Sequence, residues 1–147
     1  MYPNQNAYNA YQKTNINTAS QGRLIVLLYE GAAKQLSEAI ALFEPDGKIL
    51  AKNMEKFGIC LQKAQRIISE LEVSLDMEKG GEIAKNLMSL YLFFNEELMN
   101  SMIQKDKAKI EKILKMIKDL ADSWRQIAES KSNAGAAPKE SILNIQG

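Results

Sequence analysis

Histidine is absent from this 147-residue chain. Its absence removes the commonest general acid/base, the commonest metal ligand and every Ser/His or Cys/His nucleophile pair. Cysteine occurs once, at Cys60, so neither an intramolecular disulfide nor a thiolate zinc cage can form. Flanked by Ile59 and Leu61, Cys60 reads as a small core residue in a reducing compartment rather than a reactive thiol. An excess of one charge is missing as well: 19 basic side chains stand against 18 acidic ones, a net charge of +1. That is not the strongly basic footprint of a dedicated nucleic-acid binder. The longest apolar run, Leu24 to Tyr29, falls far short of the ~20 residues of a membrane helix. Met1 to Ser20 is rich in Asn, Gln and Tyr and lacks the apolar core of a signal peptide. These absences predict a cytoplasmic protein with no nucleic-acid partner, no membrane insertion, no metal and no cofactor.

What is present is apolar residues at regular spacing. The hydrophobic set makes up 46% of the chain, at a length that suits one domain able to bury roughly 70% of its unfolded surface without metal or disulfide. Pro3, Pro45 and Pro138 all fall outside four segments of helical period. The first, about Ser20 to Phe43, aligns Leu24, Leu28, Ala32, Leu36, Ala39 and Phe43, with Ser20 as its cap and Glu44-Pro45-Asp46-Gly47 as its stop. The second, about Ile49 to Leu75, carries Phe57, Leu61, Ala64, Ile68, Leu71 and Leu75 in a heptad-like seam. After a turn with two glycines, the third runs from about Glu82 to Gln104 with Ile83, Leu87, Leu90, Phe94, Leu98 and Met102 in line. A second stripe, Met88, Tyr91, Leu92 and Met99, makes that helix apolar around more than half its girth, so it either sits centrally or exposes a binding face. The fourth, about Asp106 to Ser130, has Ile110, Ile113, Leu114, Ile117, Leu120, Ala121, Trp124 and Ile127, capped by Asp106. Short connections between helices of similar length predict an all-α fold, an antiparallel up-down four-helix bundle. The expected organisation is a mobile N-terminal leader over 1–17, the bundle over 18–130 and a flexible tail over 131–147. Tyr2, Tyr8, Tyr11 and Ile16 in the leader and Ile142-Leu143-Asn144-Ile145 in the tail suit either conditional docking or disorder.

No constellation for catalysis emerges. The di-metal reading of a four-helix bundle needs Glu-x-x-His pairs, and there is no histidine. Glu96-Glu97 and Glu70-x-Glu72 could offer oxygen ligands to a hard cation, but paired acids on amphipathic helices are usually solvated faces, and that is their reading here. Gly80-Gly81 precedes a helix without the pattern of a phosphate-binding loop, which leaves a helix-to-helix turn as its plainer reading. Lys105, Lys107, Lys109, Lys112, Lys115 and Lys118 are interspersed with Asp106, Glu111 and Asp119, so they form either an ordinary solvated face or a contact for an acidic partner. Trp124 reads as core or half-buried, with a binding hot spot as the alternative. Gly31, inside a helix, costs about 1 kcal/mol relative to alanine and implies close helix approach or room for a partner. Six of the seven methionines are internal. Each taken singly reads as core filler, and together with the two-sided third helix they point to a surface that accommodates another helix.

Particular strings carry a family resemblance. Tyr8-x-x-Tyr11, then Thr18-Ala19-Ser20, then Leu24-Ile25-x-x-Leu28-Tyr29-x-Gly31-Ala32 resemble the opening of the flagellin export chaperone family. Leu75-Asp76-Met77-Glu78-x-Gly80-Gly81-Glu82-Ile83-Ala84-x-Asn86-Leu87-x-x-Leu90-Tyr91 resembles its central signature, and Leu120-Ala121-Asp122-x-Trp124 the end of its last helix. The resemblance spans about residues 8 to 128 and departs at Gln21, where the family often has proline, and in a tail longer than it explains.

The resemblance implies a cytoplasmic, non-enzymatic chaperone of bacterial flagellum biogenesis. Such a protein binds the C-terminal segment of flagellin, prevents premature polymerisation and presents the subunit to the flagellar type III export gate, with a regulatory co-chaperone as a further partner. The family's leader caps an apolar groove and gives way to the client. Carried over residue by residue, the partner-binding or cap positions are Tyr8, Tyr11, Thr18, Ser20, Leu24, Leu28, Tyr29, Leu87, Leu90 and Tyr91. The alternative is a helical adaptor for another secreted or regulatory client.

Overall fold

The structure, a computed structural model, describes residues 18–134. Four α-helices account for most of them: α1 (Thr18–Ile40), α2 (Met54–Ser74), α3 (Gly81–Gln104) and α4 (Lys107–Ala134), with a single 3-10 turn at Ala51–Asn53. Among the described residues there is no β-strand. The expected leader and the expected tail beyond Ala134 lie outside the described residues; α4 itself continues four residues past its expected end, to the residue before Gly135.

The helices run antiparallel in sequence order. Gly31 meets Ile67 while Glu38, further along α1, meets Cys60, further back along α2. Asn95 of α3 reaches Ser69 and Glu72 of α2, Glu97 of α3 pairs with Lys109 of α4, and Gly22 of α1 lies against Ala128 of α4. α1 packs against both α2 and α4, whereas α3 packs mainly on α2 and least on α4. That places α1 and α3 diagonally across the bundle.

Small residues set the spacing of α1. Ala32, Ala39 and Ala64 are fully buried, and a Cβ on Gly31 would come within 3.3 Å of Ile67 Cδ1. Gly31 thus serves close approach of α1 to α2, the first of the two roles its position allowed. Gly22 does the same toward α4, where a Cβ would lie 3.2 Å from that of Ala128. The seam expected on α2 is in place, with Phe57, Leu61, Ala64, Ile68 and Leu71 buried and Cys60 beside them.

Three expectations are corrected. The inward stripe of α1 begins at Ile25 and Tyr29, not at Leu24 and Leu28: Leu24 is 43% exposed and Leu28 half-buried. Six consecutive apolar residues leave the period undecided, and the stripe that is buried runs through Ile25, Tyr29, Ala32, Leu36 and Ala39, with Gly22 one turn earlier against Ala128. Ser20 is not the cap but lies inside α1, which already begins at Thr18. Finally, α2 starts at Met54 rather than near Ile49. Phe43 and Ile49 are instead buried and joined by an antiparallel bridge, closed by Glu44 N–H to the Lys48 carbonyl at 2.7 Å and a left-handed Gly47 at φ 85°. Phe43 then meets Phe57 edge-on at 5.5 Å, so this loop seals one end of the core.

Candidate protein-binding face

The turn that launches α3 explains Asp76, Gly80 and Gly81 in Asp76-Met77-Glu78-Lys79-Gly80-Gly81. Asp76 Oδ1 accepts the backbone N–H groups of Glu78 (3.1 Å) and Lys79 (2.9 Å), and its carbonyl accepts that of Gly80 at 2.7 Å. A Cβ on Gly80 would lie 2.5 Å from Ala84 Cβ and 2.7 Å from the Asp76 oxygen, so no other residue fits. Gly81 adopts φ 55°, the left-handed conformation glycine tolerates best. At its other end α3 stops on Lys105, itself left-handed at φ 56°, and Asp106 Oδ1 caps α4 by accepting the Lys109 N–H at 3.1 Å.

Between these stops α3 presents two apolar faces. Its inward face is Ala84, Tyr91, Phe94, Leu98 and Ser101, all buried. Its outward face is Met88, Leu92, Met99 and Ile103, where Leu92 is 54%, Met99 49% and Ile103 70% exposed. Steps of four and seven keep these residues in one line, about 22 Å long at 1.5 Å per residue. Val73 of α2, 82% exposed, and Phe93 add to the apolar surface. None of the six internal methionines is buried: Met54, Met77 and Met99 are exposed, and Met88, Met102 and Met116 half-buried.

The carried-over positions fall into three groups. Tyr8 and Tyr11 lie outside the described residues, and Thr18 and Ser20 occupy the first turn of α1. Leu24 is at the surface, while Leu28, Leu87 and Leu90 are half-buried and packed on the core. Tyr29 and Tyr91 are fully inside, which moves Tyr91 out of the second stripe. Their hydroxyls hydrogen-bond each other across the diagonal of the bundle. Burial pushes the Tyr29 hydroxyl up to about 12, opposed by hydrogen bonding from Tyr91 and then from the Trp124 indole. Burial raises Tyr91 further, with Tyr29 adding to the rise. Both are neutral, and each supplies what the other needs in an apolar interior. Missed in the sequence were Leu27, Ile59, Val73, Phe93 and Ile103 as exposed apolar groups. The available signal was an apolar residue standing out of register with its helix's inward stripe.

Charge plays a small part. Arg125 joins Glu30 of α1 at 2.7 Å and Asp122 at 2.6 Å, and Lys109 joins Glu97 at 3.4 Å; at such exposure water screens these pairs and they contribute little to stability. A shallow cleft of about 310 Å³ between α1 and α4 is walled by Glu30, Lys118, Asp122 and Arg125 over Ala33 and Ala121. Its two acids and two bases compensate each other and converge on no common point of chemistry. Among the described residues no group of three or more Cys, Asp or Glu side chains is arranged to hold a metal ion, and no helix is long and apolar enough to cross a membrane.

The class is that of antiparallel four-helix bundles, here with apolar side chains exposed beyond those of the core. The chain belongs to the FliS family: the family model "Flagellar protein FliS" matches residues 4–131. It is 36% identical to the flagellar secretion chaperone FliS of Salmonella typhimurium over 118 residues, covering 80% of this chain and 83% of that one. It is 31% identical to the flagellar secretion chaperone FliS of Bacillus subtilis over 126 residues, covering 86% and 89%. This is a family of chaperones, not of enzymes.

Proposed function

We propose that this chain is a cytoplasmic export chaperone for flagellin. It binds the C-terminal segment of the newly made subunit, prevents premature polymerisation and delivers the subunit to the flagellar type III export apparatus. The observation that carries the reading is the outward stripe Leu92, Met99 and Ile103 on α3, exposed beside a core that needs none of them. The names of the relatives, flagellar secretion chaperones, support the same reading.

Physical chemistry makes the fit intelligible. The terminal segment of a filament subunit is amphipathic and unpaired before assembly, so it folds on a partner or aggregates. A face of leucine, isoleucine and flexible methionine buries such a helix without chemistry and tolerates imperfect register. The leader, with Tyr8 and Tyr11, serves as the cap, and its displacement lowers the client's net affinity by what the leader's own contacts contribute.

Calorimetric titration with a flagellin C-terminal peptide tests the reading. One-to-one binding that survives moderate salt is expected, because apolar contacts are not screened; absence of binding by the intact segment overturns it. Deleting residues 1–17 should raise the apparent affinity, and an unchanged affinity removes the cap from the proposal.

A further inference from the structure

The polar centre of the bundle coincides with a discontinuity in α3. From Gly81 to Leu90 the single buried side chain is Ala84, and Ile83, Leu87, Met88 and Leu90 are only half-buried. From Tyr91 onward the inward positions Tyr91, Phe94, Leu98 and Ser101 are all buried. Tyr91 therefore stands where a loosely held half of the helix meets a tightly packed half. The loose half starts at Gly80-Gly81, where a left-handed glycine sets the direction of the chain.

Its attachments are few. α1 and α3 lie diagonally, and among the described residues Tyr29–Tyr91 is the one side-chain hydrogen bond between them. The Asn95 contacts that tie α3 to α2, and the Glu97–Lys109 pair that ties it to α4, both belong to the tightly packed half. Within Gly81–Leu90 no side chain makes a hydrogen bond or ion pair to another helix among the described residues. Opening free energies vary along a protein with the density of buried contacts, so the two halves of α3 should not open together.

The geometry points to residues 81–90 as a locally opening flap, latched at its C-terminal end by the Tyr29–Tyr91 hydroxyl bond. Opening lifts Leu87 and Leu90 off the core and adds them to the accessible apolar surface, while the α3 segment from Phe94 to Ser101 stays packed. The hydroxyl bond suits a latch because it is directional and short-ranged: a small displacement breaks it, whereas apolar contacts weaken gradually.

Amide hydrogen exchange on the full chain tests this without any client, so its outcome is independent of the chaperone reading. In the unmodified protein, amides 85–90 should exchange faster than amides 95–101; equal protection overturns the flap. Tyr91→Phe should accelerate exchange at 85–90 by about tenfold with little change in α2, since only one hydrogen bond is lost and the ring stays. Tyr29→Phe removes the same bond from the α1 side and should act on the same α3 amides. The double variant, which leaves no orphaned hydroxyl, should do no more than either single change. Uniform acceleration across all four helices, or no acceleration at 85–90, overturns the latch. Should Tyr91→Phe fail to fold, Tyr29→Phe carries the same measurement.

Discussion

Helices α3 and α4 are neighbours of similar length, 24 and 28 residues, and they meet water on opposite terms. α4 buries one face, Ile110, Ile113, Ile117, Ala121 and Ala128, and turns Lys112, Lys115, Lys118, Asp119 and Asp122 outward. α3 buries one apolar face and exposes a second. Each large aliphatic side chain left in water forgoes about 1.5–3 kcal/mol of possible burial. The buried face of α4 serves the bundle; the outward face of α3 contributes little to it.

Phe94→Ala should give the largest break in this comparison. It empties a fully enclosed site and should cost about 3–5 kcal/mol in urea unfolding, whereas Leu92→Ala, two residues along the same helix, should fall within about 0.5 kcal/mol. Equal costs would mean that the outward face is packed after all. Next in size is Gly80→Ala, whose added Cβ would collide with both Ala84 and the Asp76 carbonyl. A loss of about 2–3 kcal/mol is expected from such overpacking, read as a lowered Tm.

Replacing Leu92, Met99 and Ile103 together by serine should leave Tm within a few degrees of the starting protein, since about half or more of each side chain already faces water and none is enclosed in the core. If the proposed flagellin reading holds, the same change should weaken binding of a flagellin C-terminal peptide about 30-fold in calorimetry, the effect of removing a small cluster of anchors. An unstable triple variant would place these residues in the core, and unchanged binding would move the client elsewhere.

How far the sequence disclosed this arrangement depended on whether one local pattern decided the outcome. The α2 seam, the Asp106 cap and the surplus of apolar residues on α3 were legible because period and cap chemistry act within a few residues. Leu24 was not. In Leu24 to Tyr29 every register is apolar, and the choice among them rests on packing against α2 and α4, including that of Gly22 on Ala128 over a hundred residues away. Tyr91 stands three and seven residues before Phe94 and Leu98, so its spacing already places it on the inward face, and its assignment to the outward stripe overlooked that period. Ile49 was read as helix because its burial looks the same in a bridge as in a helix. The necessity of Gly80, by contrast, was visible as a motif but became physical only when Ala84 and the Asp76 oxygen filled the space beside it.

The smallest expected effect lies on α4. Lys112 and Lys118 are exposed and form no ion pair among the described residues. Replacing both by alanine removes two solvated charges and exchanges one good helix former for a better one, so stability should move by no more than about 0.5 kcal/mol. If the client lies on α3, its affinity should also stay put, and it should vary little between low and moderate salt. A steep salt dependence abolished by this double change would transfer the docking surface to the lysines and reverse the contrast between the two helices. The adaptor alternative predicts that steep dependence, because an acidic partner held at exposed ammonium groups loses its attraction within a Debye length of about 10 Å at 0.1 M salt.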